Sequence, residues 1–74
     1  MAEVAKVVRI IGSSPDGFAE AAQAAVEEAS RTIRGITGID VVTMSAQVEG
    51  DRVAQFRTTV DVAFGVERGS DAGA

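Results

Sequence analysis

The stretch Val53-Ala54-Gln55-Phe56-Arg57-Thr58-Thr59-Val60-Asp61-Val62-Ala63-Phe64-Gly65-Val66 decides the fold. It alternates with period two. Ala54, Phe56, Thr58, Val60, Val62, Phe64 and Val66 fall on one face, and Gln55, Arg57, Thr59, Asp61, Ala63 and Gly65 on the other. Side chains of a strand point alternately to opposite faces, so the pattern predicts a strand. At ~3.3 Å per residue it would span roughly 45 Å, whereas ordinary strands run to about 5–6 residues. A chain of 74 residues has no second sheet to cover it. The strand therefore predicts cover from outside the monomer.

Working backwards, Glu49-Gly50-Asp51-Arg52 is a tight polar connection with glycine, a hairpin signal between two alternating runs. The partner run is Ile39–Glu49, with Val42, Met44, Ala46 and Val48 on one face and Ile39, Val41, Thr43, Ser45 and Gln47 on the other. Before it, Phe18, Ala22, Ala25, Ala29, Ile33 and Ile36 follow helical spacing, predicting a helix from about Pro15 to Arg34. Ser14 suits its cap, Pro15 its first position and Asp16 its positive end, while Gly35 suits its stop. Glu27 and Arg31, four apart, predict a weak ion pair. Val4–Ile11 predicts a first strand, apolar enough on both faces to be covered on both sides.

The order is β-α-β-β in the α+β class. The simplest arrangement is a three-stranded antiparallel sheet wrapped around one helix, with the long third strand in the middle. Arg57, Thr59, Asp61, Thr43, Ser45 and Gln47 are then left on the face away from the helix. Residues 1–67 form one domain, and 68–74, small and polar, read as a disordered tail.

Composition narrows the function. Domains of this size bury only ~60% of their unfolded surface and usually need disulfides, metals or oligomerisation. Cysteine and histidine are both absent, which removes disulfides and the usual zinc site and leaves oligomerisation. Six arginines are scattered and the net charge is −4, so no clustered basic face points to nucleic acid. Nothing is apolar and long enough to predict a membrane span, and no basic-then-apolar leader is seen, so cytoplasm is the expected compartment.

Catalytic chemistry has little to work with. Acid–base work near neutrality would fall to carboxylates or Lys6, and Ser13, Ser14, Ser30 and Ser45 lack an evident base. The chain's acidic residues could hold calcium or magnesium through oxygen, without calcium-loop spacing and with no ligand set assignable. The polar sheet face is the candidate binding surface. Arg57, flanked by Gln55 and Thr59, offers planar bidentate recognition.

From Lys6 to Glu67 the chain resembles the dodecins. The residues that carry the resemblance are Lys6-Val7-Val8-Arg9-Ile10-Ile11-Gly12-Ser13-Ser14-Pro15, Ala21 to Ala29, Val41-Val42, and Phe56-Arg57-Thr58-Thr59-Val60-Asp61-Val62-Ala63-Phe64. The resemblance implies a non-enzymatic, hollow dodecamer that stores or sequesters a small ligand. In many members flavins such as FMN or riboflavin stack in pairs at two-fold interfaces, held by a tryptophan after the helix and a glutamine on the third strand. Other members hold coenzyme A or cations, and a subgroup without the tryptophan is associated with calcium. The tryptophan position aligns with Gly38 and the glutamine position with Arg57. The chain contains no tryptophan. Both departures weigh against a flavin and place the sequence nearer the non-flavin members, with a cation-binding or ligand-free scaffold particle as the alternative.

Overall fold

The computed structural model describes residues 4–65. The elements run in the expected order: β1 (Ala5–Ser14), α1 (Phe18–Ala29), β2 (Ile36–Glu49) and β3 (Arg52–Gly65). The sheet order is β1-β3-β2, with β3 antiparallel to both neighbours. The long strand is thus central, as the simplest arrangement of this element order predicts. Thr58, Val60 and Val62 are buried against the helix, while Gln55, Arg57, Thr59, Asp61 and Ala63 are only partly covered on the open face. The predicted tail, 68–74, lies outside the described residues.

The hairpin turns on Gly50 and Asp51, both at positive φ (56° and 66°). A two-residue loop of this kind has the twist that antiparallel strands need. Two bulges in β2 re-aim its side chains. Ile39 and Val41 pair with Val62 and Val60 on the helix side, whereas Thr43, Ser45 and Gln47 pair with Thr59, Arg57 and Gln55 on the open side. The sequence pattern had put all five on one face. The extra residue near Val42 flips the alternation once, as a bulge does.

The helix is shorter than predicted, for reasons at both ends. Ser13 and Ser14 continue β1, pairing with Arg57 and Phe56, so the strand runs past the expected helix start. The Asp16 amide donates to the Ser14 hydroxyl at 3.0 Å, which closes a turn and not a helix cap. Gly17 is the cap residue, in extended backbone and without a side-chain cap bond. At the far end Ser30 donates to the Glu27 carbonyl, and the Arg31 and Thr32 amides donate only three residues back. That tightened turn brings Arg31 to Glu28 at 3.7 Å in place of the expected Glu27, which instead accepts from Gln23. Gly35, at φ 76°, then swings the chain into β2.

The helix buries Ala21, Ala25 and Ala29; Ala22 lies beside that stripe and not in it. Gly12 fixes this rotation. A Cβ on Gly12 would overlap the Ala21 carbonyl oxygen and sit 2.9 Å from the Ala25 amide nitrogen. Glycine lets helix backbone lie directly on strand backbone. Two further contacts lock the start of α1. The buried Thr58 hydroxyl donates to the Phe18 carbonyl at 2.9 Å, and the Phe18 ring meets Phe56 edge-on with centroids 4.9 Å apart.

Among the described residues the buried apolar side chains are Ala21, Ala25, Ala29, Val60 and Val62. Three of the five are alanine, so little apolar area leaves water at about 25 cal/mol per Å². Meanwhile Val7, Ile11, Val41 and Met44 remain 58%, 61%, 51% and 58% exposed. The helix packs on β1 and β3, so Val41 and Met44 are left uncovered on the helix side of β2. The expectation that β1 is covered on both faces is not met among the described residues, which leave Val7 and Ile11 more than half exposed.

Candidate functional site

The open face of the sheet is built by register. Across it lie Ser13–Arg57–Ser45, then Ile11–Thr59–Thr43, then Arg9–Asp61–Asp40, then Val7–Ala63–Gly38. Gln55 pairs with Gln47 at the hairpin side. Arg57, Gln55 and Thr59 therefore form one strip, as their parity on β3 predicted. The Arg57 guanidinium donates to Gln47 Oε1 at 3.0 Å, and Gln47 donates to Glu49 at 3.2 Å.

Gly38 belongs to the same face but not to that strip. It pairs with Ala63, six residues along β3 from Arg57, which is roughly 20 Å at ~3.3 Å per residue. Within one chain the two do not meet. Gly38 is exposed, and a Cβ there would find nothing within 4 Å. The position has room for a large side chain and supplies no ring.

Between these ends stands a pair that the sequence reading left unassigned. The Arg9 guanidinium donates to both oxygens of Asp61, at 2.8 and 3.1 Å. The signal was present, since both residues sit at outward positions, but pairing them needed the register of β1 on β3. The hydrogen bond from Arg9 holds the Asp61 carboxyl below the usual carboxylate range, and the same bond raises Arg9. A depressed carboxyl favours the folded state while it is ionised, and that contribution is lost as pH falls through its lowered value. Thermal midpoints at low salt should therefore fall less steeply below about pH 4 in Asp61→Asn than in the parent chain. Identical acid limbs would show that the pair contributes nothing in solution.

A cavity of about 340 Å³ lies at the Gly38 end of the sheet, on its helix side. Lys6, Thr32, Ile33, Arg34, Gly35, Phe64 and Gly65 line it. It exists because Gly35 turns the chain back under the 30–34 segment and accepts a hydrogen bond from the Gly65 amide at 3.1 Å. Sequence reasoning missed it. The one available signal was a lysine on the helix-facing side of β1.

Among the described residues no three acidic side chains gather as a metal site, and no helix is long and apolar enough to cross a membrane.

Comparison with known proteins is consistent with this geometry. The Dodecin family model matches residues 4–67. Among solved structures, dodecin from Streptomyces coelicolor is 30% identical, with TM-score 0.85 over 89% of this chain and 94% of that one. Dodecin from Streptomyces davaonensis is 25% identical, with TM-score 0.86 over 92% of this chain and 100% of that one. A tryptophan-to-phenylalanine variant of the Thermus thermophilus dodecin is 27% identical, with TM-score 0.86 over 90% of this chain and 100% of that one. No curated protein matches significantly.

Proposed function

We propose, from the premise that this chain belongs to the dodecin family, that twelve copies close into a hollow particle that binds and stores a small ligand without turning it over. One observation carries the reading. The chain buries five small apolar side chains among its described residues and leaves Val7, Ile11, Val41 and Met44 more than half exposed. Exposed apolar side chains on both faces, Val7 and Ile11 on the open face of β1 and Val41 and Met44 on the helix side of β2, are surface that neighbouring copies would cover, and the two outer strands, β1 and β2, have open edges that neighbours can use.

The open face is the ligand wall, with Arg57, Gln55 and Thr59 as its polar strip and Gly38 at its far end. These residues fit a stacked flavin poorly. Gly38 has space around it but no aromatic ring, and Arg57 is engaged with Gln47. Stacking on an aromatic side chain contributes about 1–3 kcal/mol per base in nucleic-acid sites, and a flavin site without the ring should lose that order. Native particle titrated with FMN or riboflavin should quench flavin fluorescence weakly. Gly38→Trp should bind about tenfold more tightly or better. Unchanged affinity in a correctly assembled Gly38→Trp particle would remove Gly38 from the site.

The alternative within the same assembly is a calcium- or magnesium-binding particle, or a ligand-free scaffold. A cation would have to draw carboxylates from several copies, since the described part of one chain gathers no such group. A calcium-dependent rise in melting temperature with no flavin response would favour the cation. Neither response would favour the scaffold.

A further inference from the structure

We propose that Met44 is a modification site: hydroperoxides oxidise its thioether in the unassembled chain, and the sulfoxide keeps that chain out of the particle. The inference rests on the assembly reading above and adds a point of redox control to it. Three observations converge on Met44. The chain has two methionines, Met1 and Met44, and no cysteine, tryptophan, tyrosine or histidine. Thioether sulfur is therefore the one side-chain group here that mild peroxides oxidise readily. Met44 is also 58% exposed in the single chain, which gives a peroxide direct access. Its surroundings, finally, are apolar and uncovered. Met44 pairs with Thr58 between the Ala46–Phe56 and Val41–Val60 pairs on the helix side of the sheet, and the helix, packed on β1 and β3, leaves this part of β2 bare.

The step is a two-electron oxygen transfer. The sulfur lone pair attacks one peroxide oxygen, the O–O bond breaks and an S–O bond forms. The attacked oxygen's proton passes to the departing oxygen, which leaves as water from hydrogen peroxide or as an alcohol from an organic hydroperoxide. Sulfur is oxidised and the peroxide reduced. A polar S–O group then stands where an apolar thioether stood. In the free chain that group faces water. In the proposed particle a second copy would cover it, and a buried polar oxygen without a donor is unfavourable. The cross-strand neighbour Thr58 is no help, because its hydroxyl already donates to the Phe18 carbonyl at 2.9 Å. Oxidation and assembly are thus competing fates of one free chain: the sulfoxide opposes assembly, and assembly shields the sulfur.

The test is reassembly of the full-length chain. Chain dissociated in guanidinium chloride is treated with hydrogen peroxide, freed of it and diluted into buffer; mass spectrometry locates the added oxygen and light scattering reads the particle. Chain oxidised at Met44 should form at least about tenfold less particle than chain carried through the same steps without peroxide. Met44→Leu, which keeps Met1, should reassemble equally with and without peroxide. Methionine sulfoxide reductase with a dithiol, which returns the thioether and releases the oxygen as water, should restore the oxidised parent. That reversal keeps the test open should Met44→Leu assemble badly. The native particle should take up oxygen at Met44 at least about tenfold more slowly than dissociated chain does. Equal reassembly of oxidised and untreated parent would overturn the proposal. So would a peroxide-sensitive Met44→Leu, or equal oxidation rates in particle and free chain. An untreated parent that forms no particle would overturn the assembly reading and this proposal together, whereas an assembling parent indifferent to oxidation overturns this proposal alone.

Discussion

Gly12→Ala should be the most damaging single-methyl change in the chain. The added Cβ would meet backbone, namely the Ala21 carbonyl oxygen and the Ala25 amide, and not a side chain that could swing away. Relief would require α1 to lift off β1, and with it Ala21, Ala25 and Ala29 from Val60 and Val62. Overpacking a well-filled core typically costs about 1–3 kcal/mol, and a rigid backbone obstacle belongs at or above the top of that range. In urea denaturation at fixed protein concentration, Gly12→Ala should lose about 3 kcal/mol or fail to accumulate as folded protein. Gly38→Ala is the matched control, because its Cβ meets nothing within 4 Å on an exposed strand, and it should stay within about 0.5 kcal/mol. Equal effects at the two glycines would refute the packing account.

The second large effect concerns assembly. Val41→Asp combined with Met44→Asp places two charges on side chains that are more than half exposed in the single chain. Were the chain a monomer, each substitution would fall within the usual surface range of about 0.5 kcal/mol. In the proposed particle those side chains would meet a neighbour, and an unpaired carboxylate buried there costs several kcal/mol. The double variant should therefore elute as small species, with loss of the particle and a large drop in melting temperature. Val41→Ile with Met44→Leu should keep the particle. A double-aspartate variant of unchanged size would show that this part of β2 faces solvent and is no interface.

Much of this fold was legible because strands declare their faces by parity. The alternation of Val53–Val66 placed Phe56, Val60 and Val62 towards the helix and Arg57, Thr59 and Asp61 away from it, and the register of β1 and β2 on β3 agrees. What parity could not supply was anything that depends on a partner strand. The bulge near Val42, which puts Ile39 and Val41 on the opposite side from Thr43, has no local signature. Nor do the last residues of β1. Ser14-Pro15-Asp16 has the composition of a helix start, yet pairing with Arg57 and Phe56 holds Ser13 and Ser14 in the sheet.

The candidate site divides along the same line. That Arg57, Gln55 and Thr59 share a face follows from spacing on one strand. That Gly38 stands about six residues away along β3 follows only from register. The Arg9–Asp61 pair and the Lys6–Arg34–Phe64 cavity join groups distant in sequence, so no window of sequence contains them.

The central claim is that one chain is an incomplete structure, and its native mass tests that most directly. Size-exclusion chromatography with light scattering, at micromolar chain concentration and neutral pH, should give a single particle of twelve times the 7.6 kDa chain. A monomer or a simple dimer under those conditions would contradict the account.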